Sequence, residues 1–348
     1  MSALHRFIFE GLPVRGMLVR LTGDWQEVLR RRAASNVHPA PVRSLLGQMA
    51  AAGVLMQASI RFNGALVLQV FGDGPVKLAV AEVQPDLAFR VTGTVVGEVP
   101  ADAQLEAMLN VHGGGRCAIT LDPKDRRTGQ QPYQGVVPLF GDRREPLQQL
   151  SQVLEHYMLQ SEQLDTRLVL AANDEVAAGL LIQRMPVSGA GNLAGRPGAG
   201  PPLARPDPLG GPSAKPAWGR SLLNEDEIGL NEDFNRIALL AGTLTADELL
   251  RLDAEAVLHR LFWEETLRLF EPQQGDSAPR FACTCSRERV GRMLVGLGAD
   301  EVHGIVAEQG RAEIGCEFCG LKYHFDAVDV GGLFTPAGAQ APGSAAIN

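Results

Sequence analysis

No apolar run of signal-peptide length stands near Met1, where Arg6 and Glu10 interrupt the hydrophobic residues. No window reaches the roughly 20 apolar residues of a membrane span either. The most apolar stretch, Leu45 to Ile60, carries Gln48 and Gln57 among small residues and reads as a buried helix. These absences predict a cytoplasmic protein without a membrane partner. An excess of positive charge is also missing. At a net charge of −8 the surface is not built to neutralise phosphate, so nucleic acid is not expected as a partner. Cysteine is scarce, five in 348 residues, and four of the five lie beyond residue 280. A secreted disulfide framework would spread its cysteines through the domain it staples, so two close pairs point to metal instead. A Gly-x-Ser-x-Gly elbow is absent too. The glycine run before Cys117 (His112-Gly113-Gly114-Gly115-Arg116) therefore reads as a tight loop entering a strand, and the chain is not expected to be an enzyme.

What is present divides along the chain. Hydrophobic residues make up 45%, enough for a sizeable core, and the length suits two domains plus connecting material. The first 140 residues read as mostly strand with an early helix. Apolar residues from Ala65 to Val83 flank Gly72-Asp73-Gly74-Pro75, a turn sequence, which predicts a hairpin. Phe89 to Val99, Arg116 to Leu121 and Gln134 to Phe140 are further strand candidates. Leu147, Leu150, Leu154, Tyr157 and Met158 then fall at helical spacing, predicting an amphipathic helix from Glu145 to Gln160 over one face of the sheet. A strand at Arg167 to Ala172 and the apolar run Val176 to Met185 complete an α+β domain, residues 1–185.

Between Pro186 and Trp218, 15 of 33 residues are Gly or Pro, too little apolar surface to offset ordering entropy, so 186–220 is expected to be a flexible insertion. Residues 221–275 are expected to be a helical linker. Thr245-Ala246-Asp247-Glu248 has capping-box spacing, and Asp253 precedes another apolar helix. These short helices have strong apolar faces and no core of their own, so they need another surface to lie on. A small module, 276–332, follows, with a tail of Ala, Gly and Pro, 333–348, expected to be disordered. Within the module Ser286 is a candidate N-cap for a helix that Gly298 ends, Asp300 to Glu308 is a second helix, and Ile314 to Phe325 reads as a hairpin turned by the second cysteine pair.

Cys283-x-Cys285 and Cys316-x-x-Cys319 offer four soft thiolates to one tetrahedral site, the donor set of structural zinc. Two blander readings stand beside a switch: a zinc site that never changes, serving a constitutive interaction module, and unrelated buried thiols. A thiol oxidoreductase is a third alternative, although the strand and long helix that flank such a Cys-x-x-Cys are missing. Arg280, Arg287, Arg289 and Lys322 either offset the charge of the tetrathiolate or are solvated surface residues. His324 is a surface or core residue of the hairpin rather than a ligand. So small a module needs a staple, and because oxidation of a close thiol pair to a disulfide releases the ion, the staple can also be a sensor.

These residues carry a resemblance. Val14-Arg15-Gly16, Gly72-Asp73-Gly74-Pro75, Tyr133-Gln134-Gly135-Val136-Val137, Ser161-Glu162-Gln163 with Thr166-Arg167, Cys283-Thr284-Cys285-Ser286-Arg287-Glu288-Arg289 and Cys316-Glu317-Phe318-Cys319-Gly320 make the chain similar to the bacterial redox-regulated 33 kDa heat-shock chaperones. The resemblance implies a reduced, inactive form with one Zn2+ on Cys283, Cys285, Cys316 and Cys319. It further implies an oxidised form with disulfides Cys283–Cys285 and Cys316–Cys319 and an unfolded linker. That form holds unfolding client proteins without ATP, as a homodimer. The linker helices of the inactive form are expected on the sheet of the N-terminal domain. The Gly/Pro insertion is longer than the family pattern, and Cys117 matches no family cysteine.

Overall fold

The computed structural model describes residues 2–33, 37–125, 131–185 and 231–335. The Gly/Pro-rich stretch and the tail from residue 336 lie outside the described residues. The chain forms two compact units, Met1–Arg30 with Val37–Ala282 and Arg31–Asn36 with Cys283–Asn348. In order it runs β1 (Ala3–Phe9), β2 (Val14–Leu21), α1 (Gly23–Ala33), α2 (Ala40–Ser59), β3 (Gly64–Phe71), β4 (Val76–Val83), β5 (Ala88–Val95), α3 (Leu105–Leu109), β6 (Arg116–Pro123), β7 (Tyr133–Pro138), α4 (Leu150–Glu162), β8 (Thr166–Ala172) and β9 (Ala177–Arg184). Then come α5 (Glu232–Gly242), α6 (Ala246–Arg251), α7 (Ala254–Phe262), β10 (Leu267–Leu269), β11 (Arg280–Phe281), α8 (Arg287–Leu297), α9 (Ala299–Gln309), β12 (Ala312–Gly315), β13 (Lys322–Phe325) and α10 (Ala327–Phe334). The fold is α+β, as its pattern predicts. Among the described residues no helix is long and apolar enough to cross a membrane.

The first unit holds two sheets, ordered β10-β1-β2-β9-β8 and β11-β5-β4-β3-β6-β7. Helix α2 packs on strands of both, which is why it is apolar nearly all round. Two glycines let it approach. A Cβ on Gly47 would meet the Ala172 Cβ at 2.5 Å, and one on Gly53 would meet Val83 Cγ2 at 2.9 Å. The predicted hairpin is β3–β4. The predicted helix from Glu145 starts later, at a Gln149–Gln152 capping box. Upstream, Gly141 N–H donates to the Glu145 carbonyl (2.9 Å) and Leu147 N–H to the Leu139 carbonyl (3.2 Å), so these residues remain in a turn.

In the five-stranded sheet both faces are buried. Met17, Val19, Ala177 and Leu181 join the main core with α2. Phe7, Phe9, Val14, Leu18, Leu180 and Ile182 point the other way and pack against Phe234, Ile237, Leu249, Val257, Leu261 and Phe262 of α5–α7. Phe9 and Phe262 meet edge to face, ring centroids 5.0 Å apart. The short helices thus find the surface their apolar faces require. Their starts are those the sequence marks: the Thr245–Glu248 capping box, and Asp253, whose carboxylate accepts from Ala256 N–H at 2.8 Å. Asn231, accepting from Phe234 N–H at 2.7 Å, caps α5. Helices of 6 to 11 residues are not stable alone in water, so this cover exists only while docked.

One side chain of the sheet fastens it. The Arg20 guanidinium donates from Nη1 to the carbonyls of Leu249 (2.6 Å) and Leu252 (2.7 Å) and from Nη2 to that of Leu250 (3.0 Å). It fills the acceptors that the end of α6 leaves open. A charge-assisted hydrogen bond contributes about 1.5–3 kcal/mol. Arg20→Met is expected to weaken the docking of α6 and α7 by about 2 kcal/mol and to speed amide exchange in 246–262 by roughly tenfold or more, with exchange in α2 unchanged. Hydrogen-exchange mass spectrometry of the reduced protein measures both.

Candidate metal centre

The second unit has little core: Leu294, Val302, Val306, Ala312, Phe325 and Val330 form its buried cluster. Polar contacts hold the elements that carry the cysteines. Ser286 Oγ accepts from Arg289 N–H at 3.2 Å and starts α8, and Gly298, at φ +100°, ends it. Cys283 and Cys285 therefore lie in the extended segment just before the helix. Arg289 Nη1 donates to the Thr284 carbonyl between them at 2.9 Å. Arg287 ties the helix to the hairpin, through the His324 carbonyl (2.7 Å) and the Phe325 ring, 4.3 Å from its guanidinium carbon, and to α10 through Asp329 (2.7 Å).

The other two cysteines sit in the turn of the β12–β13 hairpin, where Gly315 pairs with Lys322. Cys316 N–H donates to the Leu321 carbonyl (2.9 Å) and Gly320 N–H to the Cys316 carbonyl (2.7 Å). Gly320 takes φ +70°, a left-handed conformation that suits glycine. The turn leaves its N–H groups facing sulfur: those of Cys319 and Phe318 donate to Cys316, and that of Leu321 to Cys319.

All four Sγ atoms lie within 4.8 Å of one another. Two contacts cross between the motifs, Cys283 to Cys316 at 3.6 Å and Cys285 to Cys319 at 3.4 Å. A tetrahedron with metal–sulfur bonds of about 2.3 Å has edges of about 3.8 Å, so this quartet fits a thiolate-bound ion with only small adjustment. Cys319 is buried and the other three are half-buried. The Cys283 thiol donates to Cys316 and brings Cys316 down to about 4, and the same bond, with burial, pushes Cys283 well above the usual thiol range. Cys117 is remote in character, fully buried in the first unit and pushed up to about 12 by that burial.

The neighbouring basic residues engage other partners. Arg280 pairs with Asp86, Arg287 with Asp329 and Lys322 with Glu313 at 2.6 Å. His324 Nδ1 stands 3.3 Å from Glu313 and is not among the clustered donors. Tyr323 carried no signal in the sequence, yet its hydroxyl donates to Cys285 Sγ at 3.1 Å.

Known proteins resemble this chain over nearly its whole length. A family model described as Hsp33 protein matches residues 2–326. The 33 kDa chaperonin of Chromobacterium violaceum is 42% identical over 331 residues, 95% of this chain and 93% of the relative. That of Neisseria meningitidis is 40% identical over 331 residues, 94% and 90% of the two chains. The crystal structure of the 33 kDa chaperonin from Thermotoga maritima aligns over 96% of this chain and 98% of that one with a TM-score of 0.66, at 18% identity, a likeness of fold.

Titration of the reduced protein with Co2+ is expected to load one ion and to give the visible bands of a tetrahedral tetrathiolate. Cys319→Ala, which removes the most buried donor, is expected to abolish the bands. Absorption spectroscopy at graded Co2+ checks both.

Proposed function

The chain belongs to the Hsp33 family of chaperones, and on that premise we propose that it is a redox-regulated, ATP-independent holdase. The reduced protein holds one zinc ion on Cys283, Cys285, Cys316 and Cys319 and is inactive. Oxidation activates it to bind unfolding proteins and prevent their aggregation. The observation that carries this reading is the convergence of four thiols in a unit with so slight a core. When bound, zinc clamps the four thiolates and supplies roughly 10–16 kcal/mol of apparent folding free energy. A core of this size supplies about 3–5 kcal/mol. The switch module, which we take as residues 276–332, is therefore folded while its thiolates hold the ion and unfolded when they do not.

Peroxide converts each pair in the same way. One thiolate displaces hydroxide from the oxidant to give a sulfenic acid, and its neighbour displaces hydroxide from that sulfur to give the disulfide. We assign the pairs as Cys283–Cys285 and Cys316–Cys319, with no thiolate left to hold the metal. Unfolding then reaches the linker, residues 221–275. Once α5–α7 leave the sheet, Phe7, Phe9, Val14, Leu18, Leu180 and Ile182 of domain 1–185 face solvent as an apolar surface for client chains. No catalytic residue is involved, the active form is a homodimer, and the protein works in the cytoplasm.

Zinc content and suppression of client aggregation, measured before and after peroxide at mildly raised temperature, test the proposal. The expected result is one zinc and no activity when reduced, and loss of zinc with activity when oxidised. Equal activity in both states would instead mark a constitutive, zinc-stabilised interaction module. In the same samples, peptide mapping is expected to find Cys283–Cys285 and Cys316–Cys319. The crossed pairs, which the short sulfur contacts of the reduced quartet would favour, would overturn the assignment.

A further inference from the structure

We propose that Tyr323 is a positioning residue of the switch, whose hydroxyl, hydrogen-bonded to Cys285 Sγ, holds that sulfur back from oxidant and so sets the rate at which the Cys283–Cys285 pair is oxidised. This rests on the reading of the four cysteines as a redox switch.

The sulfurs are not equivalent. Cys316 receives the N–H groups of Phe318 and Cys319, Cys319 that of Leu321, and Cys283 that of Cys285. Those donors are backbone groups, set by the turn for Cys316 and Cys319 and by the extended segment for Cys283. Cys285 instead receives a side-chain hydroxyl at 3.1 Å, from a residue on β13 whose cross-strand partner is Ile314. Register thus delivers the phenol to the sulfur. The extended segment before α8 has no such turn around Cys285, and Tyr323 supplies from the hairpin what the knuckle supplies from its backbone. A donor on a thiolate withdraws electron density from the lone pair that attacks the peroxide oxygen, lowering nucleophilicity while leaving the sulfur able to bind metal. The same bond ties the hairpin to the extended segment at Cys285.

In the first step, the Cys285 sulfur bonds to one peroxide oxygen, the O–O bond breaks, and hydroxide leaves and takes up a proton. In the second, Cys283 attacks the sulfenic sulfur, the S–S bond forms and hydroxide leaves again. Tyr323 keeps its proton throughout and acts on the first step alone.

The experiment uses the reduced, zinc-loaded full chain, Tyr323→Phe beside the parent, with hydrogen peroxide, timed alkylation and mass spectrometry of each cysteine pair. Phe keeps the ring and removes the donor. The expected result is oxidation of Cys283–Cys285 faster by roughly three- to tenfold, the worth of one hydrogen bond. Zinc content in reducing buffer should match the parent, and initial modification of Cys316 and Cys319 should keep its rate. Equal rates at Cys285 in the two proteins, or equal acceleration of all four cysteines, would overturn the proposal, the second by showing that the hairpin had merely loosened. Tyr323→Leu, which also removes the ring, separates shielding from hydrogen bonding. A rate raised only in this variant would likewise overturn the role given to the hydroxyl. If the parent forms no disulfide with peroxide, the switch itself is refuted rather than the part played by Tyr323.

Discussion

A sheet that is apolar on both faces needs two covers, and in this protein the two differ in kind. One is α2, a single 20-residue helix wedged between two sheets with residues such as Met49, Val54 and Leu55 inaccessible to solvent. The other is α5–α7, short helices whose outer sides face solvent and whose grip on the sheet is one apolar stripe with a few polar fastenings. Arg20 of the sheet holds the end of α6, and within the cover Arg260 ties α7 to Glu248 (2.8 Å) and to Thr243 Oγ1 (2.7 Å). Removing α2 would dismantle the core. Removing α5–α7 would leave two sheets and α2 still packed on one another, with one apolar face bare.

The second unit presents the opposite economy. Its apolar cluster is slight, Gly298 is the single residue between α8 and α9, and Arg287 adds polar contacts from α8 to the hairpin and to α10 beside the cluster that Leu294 shares with Phe325 and Val330. Four sulfurs at the meeting point of its two chain segments therefore matter more to it than any side chain in the first unit matters there. An ion held by those sulfurs would be a large fraction of what keeps so small a body folded.

The candidate site was largely legible in the sequence because cysteine pairs and helix caps are local signals. Spacing groups Cys283, Cys285, Cys316 and Cys319, and Ser286, Gly298, Thr245 and Asp253 mark helix ends that the structure has. β1 and β2 were not resolved as strands, because burial on both faces erases the alternation that identifies a strand. β10 and β11 escape for another reason. At 3 and 2 residues they have no periodicity, and only their partners, β1 and β5, make them strands. The late start of α4 depends on the turn at Gly141, and the contact of Tyr323 with Cys285 on the register of a hairpin. These are tertiary facts with no local trace.

Helices α5–α7 are tied at both ends to the sheet they cover, following β9 in the chain and preceding β10, both strands of that sheet. Undocked, they cannot diffuse away. Any polypeptide that occupies the vacated face does so against a rival on a leash, whose effective concentration is of millimolar order for short tethers. Occupancy is then governed by the ratio of the guest's affinity to that local concentration, and whatever restores the helices' preference for the docked state also evicts the guest. The ligand that would displace such a guest is part of the same chain.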